Sequence, residues 1–133
     1  MAEAPVALLS KLPIFAGLAQ KDLKHIAEAM TERRVDPGRT LAVEGQQGVG
    51  FFVIESGTAK VSVGGDEKRT LGPGDSFGEI ALIIETPRTA TVTAETEVHC
   101  WAIASWAFRP LVKENATVAW ALLDSVAKMV ASR

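Results

Sequence analysis

The sequence predicts a mainly β domain, an antiparallel jelly roll of seven or eight strands with helices before and after it. Between Val35 and Ala104, turn signals built from glycine, proline, aspartate and serine residues recur about every 8–12 residues. Short runs rich in β-branched residues lie between these turns, and no long helical pattern interrupts them, which is typical of a jelly roll. The flanking segments instead have apolar residues at helical spacing.

Length and composition limit the classes of protein that the chain can belong to. The 133 residues suffice for one domain with a buried core, and the net charge of -2 gives no basic field for direct nucleic-acid binding. The one cysteine, Cys100, excludes an internal disulfide and fits a reducing compartment. No apolar run approaches the roughly 18 residues of a membrane span, and the first residues, Met1-Ala2-Glu3-Ala4, lack the basic-then-apolar order of a signal peptide. We expect a cytoplasmic protein without a membrane partner.

The N-terminal segment, residues 8–30, is predicted to be helical. Apolar residues recur at three- and four-residue steps from Leu8 to Leu18, although Pro13 and Gly17 divide this part into short pieces. Residues 19–30 form a better helix, whose apolar positions share one face: Leu23, Ile26, Ala27 and Met30.

The strand region is predicted to span residues 33–104. Residues 59, 61 and 63 are apolar and alternate with polar neighbours, and residues 90, 92 and 94 repeat the pattern. Because successive strand residues point to opposite faces, such alternation indicates strands buried on one face. The residues predicted to share one face are Ala59, Val61 and Val63 in one strand, and Ala90, Val92 and Ala94 in the other.

Residues 105–131 are predicted to form two helices. The first runs from Trp106 to Lys113, with Pro110 tolerated near its first turn, and Asn115 or Thr117 caps the second, which continues through Ala131. The second helix has two adjacent apolar stripes, which is more than a surface helix needs. We expect the barrel on one side of it and a second copy of the chain, or another domain, on the other. The stripes are Val118, Leu122, Val126 and Met129, and Trp120, Leu123, Ala127 and Val130.

The candidate functional site is the stretch 77–92, in which a strand end leads through a glycine into one short helical turn. A helix N-terminus presents free backbone N–H groups to an anion. Glu79 lies at that terminus and can accept hydrogen bonds from a sugar hydroxyl, and Arg88 follows in a proline turn with a guanidinium suited to phosphate. One arginine, without a glycine-rich triphosphate loop and its lysine, predicts a site for a nucleoside monophosphate.

Plainer interpretations of the polar residues remain open at this point. Arg88 is also explained as an exposed turn arginine, and Glu79 as a carboxylate favoured at a helix N-terminus. His99 and Cys100 look like a metal pair, but as neighbours in a strand they point to opposite faces, which favours structural roles. With only two histidines in the chain, a metal-dependent enzyme of the cupin type is not expected, and neither are catalytic residues or a bound metal.

Ordered motifs along nearly the whole chain resemble the cyclic nucleotide-binding domain family, of the catabolite activator and protein kinase regulatory subunit type. Phe77-Gly78-Glu79-Ile80-Ala81-Leu82, followed by Pro87-Arg88-Thr89-Ala90, is similar to the family's phosphate-binding cassette. The segments 12–18, 52–57 and 71–79 resemble its N-terminal helical part and its barrel turns in order. Residues 106–133 resemble its two C-terminal helices.

The resemblance implies an eight-stranded jelly-roll barrel with the N- and C-terminal helices packed at one end. It also implies that Glu79 binds a ribose 2′-hydroxyl, that Arg88 binds the cyclic phosphate and that Val61 lines the base pocket. Backbone N–H groups around Ile80, Ala81, Thr89 and Ala90 would hold the phosphate oxygens. The last helix would act as a lid over the base, with Arg133 as a possible contact. The implied ligand-binding residues are Gly78, Glu79, Ile80, Ala81, Arg88, Thr89, Ala90 and Val61.

The function expected from the resemblance is that of a regulatory sensor, which transmits cyclic nucleotide binding through its C-terminal helices to a separate effector. We expect cAMP to be favoured over cGMP, although Thr89 follows the cassette arginine and a hydroxyl there can bond the guanine amino group. No cofactor is expected beyond the ligand. A homodimer that forms through the last helix is expected. The alternative is a degenerate interaction domain that binds no nucleotide. Whether the chain acts alone or is a piece of a longer protein stays open.

Overall fold

Two four-stranded antiparallel sheets enclose a core in the computed structural model, which describes residues 3–48, 50–84 and 86–132. One sheet has the strand order β1-β10-β4-β7 and the other β2-β9-β5-β6, and β3 and β8 form a separate short pair. The predicted mainly β jelly-roll class is confirmed. The strands are β1 Thr31–Val35, β2 Thr40–Ala42, β3 Gln47–Gly48, β4 Gly50–Ser56, β5 Ala59–Val63, β6 Asp66–Leu71, β7 Ser76–Phe77, β8 Thr86–Pro87, β9 Thr91–Ala94 and β10 Val98–Ala104.

The central strand β4 is buried on both faces, because each face meets a different core. Phe52 and Ile54 point between the two sheets, where the ring of Phe52 stacks on that of Phe77 with centroids 4.9 Å apart. Phe51 and Val53 point the other way, into a second core that the helices form against this sheet. An uninterrupted apolar run in a short strand is the expected signature of such two-sided burial.

The helices form this second core at one side of the barrel. They are α1 Val6–Ser10, the 3-10 helix Pro13–Phe15, α2 Gln20–Ala29, α3 Glu79–Ile83, α4 Ser105–Lys113 and α5 Ala116–Ala131. The predicted inner face of α2 is buried, as are Phe15 and Phe108, whose rings lie 6.3 Å apart. The helical segment begins two residues before the predicted start, and β1 begins at Thr31 rather than at residue 33. The predicted packing of N- and C-terminal helices together is thus observed.

The residues predicted to share one face of a strand differ in how deeply they are buried. Ala59 and Val61 are buried, but Val63 is 38% exposed because it ends β5 at the Gly64-Gly65 turn, beyond the cover of the opposite sheet. Val92 and Ala94 are buried in β9, whereas Ala90 precedes that strand and is half-buried.

The C-terminal helices match the prediction apart from one proline. Pro110 is the sixth residue of α4, so its predicted place near the first turn was wrong. The carbonyl of Trp106, four residues earlier, loses its helical partner, and water can replace that bond since Trp106 is exposed. The predicted cap of α5 is confirmed, because Asn115 Oδ1 accepts a 3.1 Å hydrogen bond from the Val118 N–H.

The two apolar stripes of α5 differ in environment. Val118 and Leu122 of the first stripe are buried against the helical core, whereas Trp120, Leu123 and Val130 of the second are 71%, 58% and 57% exposed. The described part of the chain therefore covers one side of the helix and leaves the other apolar side open to solvent. Within the described ranges, no helix combines the length and the apolar character that crossing a membrane requires.

His99 and Cys100 lie on opposite faces of β10, as predicted. The Cys100 side chain is buried between the sheets. The imidazole of His99 lies on the other face, with Nε2 2.6 Å from a Glu32 carboxylate oxygen and Nδ1 3.1 Å from one of Glu55. These contacts explain His99 structurally, as an anchor between β1 and β4.

Candidate functional site

One cavity of about 170 Å³ brings together residues from three distant parts of the chain: β5, the stretch around α3 and the loop between β8 and β9. All eight site residues predicted from the sequence line it. They are Val61, Gly78, Glu79, Ile80, Ala81, Arg88, Thr89 and Ala90. Arg133, the ninth candidate, lies outside the described residues.

Gly78 makes the turn from β7 into α3 and leaves space for an arginine. Its φ of +89° is a left-handed conformation that side chains disfavour. A Cβ at this position would also lie 2.5 Å from both the Gly50 carbonyl oxygen and Nη1 of Arg88. Glycine is therefore required for the backbone turn and for the position of the guanidinium.

Arg88 is held from its backbone to the end of its side chain. Its N–H donates to the Gln46 carbonyl and its carbonyl accepts from the Gly45 N–H, each at 2.8 Å. Its Nη2 donates to the Gly50 carbonyl at 2.6 Å, and no other described residue accepts a hydrogen bond from the guanidinium. Because a guanidinium has five N–H donors, most of them stay available to an anion in the cavity.

The electrostatics of the site are dominated by Arg88 and Glu79. Burial lowers the pKa of the half-buried Arg88, and the nearby Glu79 carboxylate raises it in part, so the guanidinium stays charged at neutral pH. Glu79 is the first residue of α3 and forms no hydrogen bond or salt bridge with any described residue. The cavity therefore offers a cation and a separate, unpaired carboxylate, which suits a ligand with both an anionic group and a hydroxyl.

The cavity also has backbone donors, although one fewer than predicted. No described residue accepts a hydrogen bond from the N–H groups of Ile80, Thr89 or Ala90. The Ala81 N–H, in contrast, donates to the Gly78 carbonyl at 3.0 Å and is not free in this structure. The cause is local, because α3 is a single turn that closes tightly on the glycine before it.

Comparison with known proteins agrees with this geometry. A model of the family described as the cyclic nucleotide-binding domain matches residues 32–115. The chain belongs to this family. A cAMP-dependent protein kinase regulatory subunit from Yarrowia lipolytica is 37% identical over 106 residues, which are 78% of this chain and 28% of that protein. The chain thus spans just over a quarter of the length of this relative.

Two solved structures are similar to this cyclic nucleotide-binding domain. The N-terminal domain of a transcriptional regulator from Streptomyces coelicolor A3(2) has a TM-score of 0.87 and 31% identity, over 94% of this chain and 93% of that one. The regulatory domain of Toxoplasma gondii PKA, crystallised with cAMP, has a TM-score of 0.73 and 33% identity, over 82% of this chain and 43% of that one. Regulatory proteins of two kinds thus share the fold.

The wall opposite the cassette is formed by β5 and its neighbours. Val61, Ala42 and Val92 give it an apolar surface, and Arg69, the cross-strand partner of Val61 on β6, adds a second guanidinium. Arg69 was not predicted, and neither were the two glycines at positions 48 and 50 that surround Arg88. Strand pairing places these residues, and a single sequence carries no direct signal of it.

The expected lid is not over the cavity in this structure. None of the described α5 residues lines the cavity, and α5 packs instead against the 3-10 helix and α4. The lid role of the last helix therefore stays a prediction. No three His, Cys, Asp or Glu side chains in the described part of the cyclic nucleotide-binding domain are grouped so as to hold a metal ion.

Proposed function

We propose that this domain binds a 3′,5′-cyclic nucleotide, with cAMP favoured over cGMP, and acts as a regulatory sensor rather than as an enzyme. The observation that supports the proposal most directly is the arrangement of Arg88 and Glu79. They face one cavity without a salt bridge between them, and the N–H groups of Ile80, Thr89 and Ala90 have no acceptor among the described residues.

A cyclic phosphate matches the charge of this cavity. It carries one negative charge, and a charge-assisted hydrogen bond contributes about 1.5–3 kcal/mol. Glu79 would repel the phosphate unless a hydroxyl lies between them, so the ligand needs a free 2′-hydroxyl. A 3′,5′-cyclic ribonucleotide meets both conditions, because its phosphate uses the 3′ and 5′ oxygens only.

The preference for cAMP rests on two relatives, whereas a cGMP-dependent protein kinase of Toxoplasma gondii, 39% identical over 95 residues, and the residue Thr89 favour cGMP. The relatives from Yarrowia lipolytica and Toxoplasma gondii are named for cAMP. The exposed Thr89 lines the cavity, and its hydroxyl is able to accept from the 2-amino group of guanine, which adenine lacks. Thr89→Ala is therefore expected to weaken cGMP binding and to leave cAMP binding nearly unchanged.

The packing of α3 suggests how ligand binding reaches the C-terminal helices. Leu82 of α3 is buried in the same core as Phe108 of α4 and Leu122 of α5. Arg109 Nη2 also donates to the Ile83 carbonyl at 3.2 Å. A ligand that draws the cassette inward would change these contacts and shift the population of α4 and α5 positions. The effector that responds would be a separate protein or domain.

A second copy of the chain is the partner we propose for the outer side of α5. Its apolar residues recur at steps of four and three, which is the seam of a two-stranded coiled coil. Lys128 and Asp124, which pair with each other at 2.9 Å, are the charged residues of this helix's described part. Leu123→Glu is expected to give a monomer in sedimentation equilibrium, whereas Lys128→Glu, away from the seam, is not. The seam residues are Ala116, Trp120, Leu123, Ala127 and Val130.

Titration calorimetry with cAMP and cGMP tests the proposed ligand. We expect binding of both with 1:1 stoichiometry, and tighter binding of cAMP. No binding of either nucleotide at high micromolar concentration would instead support the alternative of a degenerate interaction domain. A tighter complex with cGMP would refute the preference but not the cyclic nucleotide site.

A further inference from the structure

A second cavity, of about 540 Å³, lies at one end of the barrel and shares Arg88 with the cyclic nucleotide cavity. The ends of β1, β2, β4 and β10 surround it, and we call it the barrel-mouth cavity. Its volume is within the range of small-molecule sites, about 300–1,000 Å³. Small side chains, among them Ala42, Ala102 and Ala104, create the space by leaving the strand ends unfilled.

An arginine of β1, Arg33, points into this cavity. Arg33 lies two residues before the buried Val35 on β1, so both side chains point toward the space between the sheets. Its Cζ is 6.0 Å from the centre of the Phe52 ring, and its charge opposes the rise in the pKa of the buried Cys100 thiol. No described residue accepts a hydrogen bond from Arg33 or forms a salt bridge with it, whereas the neighbouring Arg34 points outward and pairs with Glu97 at 3.9 Å.

The charge of the barrel-mouth cavity is positive. Arg33 and Arg88 both line it, and no aspartate or glutamate does among the described residues. Two cations beside an aromatic ring attract an anion, and no carboxylate on the described wall opposes them. The remaining wall is apolar or neutral, with Phe52 inside and Trp106, 66% exposed, at the opening.

We propose that the barrel-mouth cavity is a second binding site, for a small aromatic organic anion such as an aryl carboxylate. The carboxylate would pair with the guanidinium of Arg33, and the ring would contact Phe52 and Trp106. Because Arg88 lines both cavities and both ligands are anionic, each ligand weakens the binding of the other. This coupling rests on the proposed cyclic nucleotide function, whereas the existence of the second site does not.

The test uses 2-naphthoate as the probe and 2-naphthalenemethanol as its uncharged analogue, with calorimetry on the full chain. We expect 2-naphthoate to bind 1:1 with a dissociation constant of about 1 mM or tighter, a modest value for its size. The alcohol should bind at least about tenfold more weakly than 2-naphthoate, since it cannot form the charge-assisted hydrogen bond. Arg33→Gln should weaken the acid to the same extent, and Arg34→Gln, on the opposite face of the same strand, should not.

A second variant guards against a general effect of removing a charge. Ala102→Leu fills the cavity without changing any charge and is expected to abolish 2-naphthoate binding, with a thermal melt as the control for folding. Saturating cAMP should weaken 2-naphthoate at least about twofold. Equal binding of the acid and the alcohol, or unchanged binding to Arg33→Gln, would overturn the proposed site. If saturating cAMP left the 2-naphthoate affinity unchanged, only the coupling between the two sites would be overturned. If cAMP did not bind at all, the proposed cyclic nucleotide function would be refuted, whereas the 2-naphthoate experiments would still decide whether the second site exists.

Discussion

Gly48 provides the sharpest test of how the phosphate site is built, since it is outside the cassette and contacts no ligand in the proposed mechanism. A Cβ added at this residue would lie 2.5 Å from Cδ and 2.7 Å from Cζ of Arg88. The backbone of Gly48 is not in the left-handed region, so alanine strains nothing locally. The direct effect of Gly48→Ala is therefore confined to the side chain of Arg88, which the new methyl group displaces from its position against β3.

The expected losses of stability and of cAMP affinity follow from the hydrogen bonds that Arg88 loses. Displacement breaks its 2.6 Å bond to the Gly50 carbonyl, which stabilises the fold by about 1 kcal/mol, so we expect the Tm to fall by about 3–5 °C. It also removes the charge-assisted bonds to the phosphate, about 1.5–3 kcal/mol, which weakens cAMP binding by roughly ten- to a hundredfold.

Calorimetry with cAMP and a thermal melt on the same sample measure both effects. Gly72→Ala is the matched control, because a Cβ there meets no atom within 4 Å and its φ is ordinary, so neither quantity should change. In an Arg88→Ala background the Gly48→Ala substitution should have no further effect on affinity. If the two substitutions weakened cAMP binding additively, Gly48 would not act through Arg88, and this account of the clamp would be refuted.

Three other predictions concern the ligand hydroxyl, the barrel and the buried thiol. The wild type should bind 2′-deoxy-cAMP about tenfold or more weakly than cAMP, and Glu79→Ala should remove that difference in the same calorimetric assay. Gly57→Ala should lower the free energy of unfolding by about 2 kcal/mol or more in urea titrations, because φ is +90° and a Cβ there meets the Glu97 and Val98 backbone. Cys100 should react with a thiol reagent at pH 8 only after unfolding, since burial both covers the thiol and raises its pKa; rapid labelling of the native protein would contradict this.

The sequence predicted the site well where its residues are contiguous. From Gly78 to Ala90 the order of glycine, carboxylate, short apolar turn and arginine keeps the functional groups close for local reasons, and the structure brings them to one cavity. The α5 stripes were predictable for the same reason, because helical spacing fixes which residues share a face.

The features of the site that the sequence did not predict depend on pairing between residues that are distant in the chain. Gly50 accepts from Arg88 across 38 positions of the chain, and Arg69 reaches the cavity only because β6 pairs with β5 in one register. No local pattern marks either contact. The error at Pro110 has another cause: the predicted start of α4 is only one residue late, and Pro110 lies beyond the first turn from either start.

The central claim is that Arg88 binds the phosphate of a cyclic nucleotide, and the affinity of Arg88→Ala for cAMP tests it most directly. The matched control is Arg34→Ala, which removes an exposed arginine that pairs with Glu97 and lines neither cavity. We predict that Arg88→Ala binds cAMP at least about tenfold more weakly than wild type and that Arg34→Ala binds it equally well. Wild-type affinity in a folded Arg88→Ala protein would contradict the account.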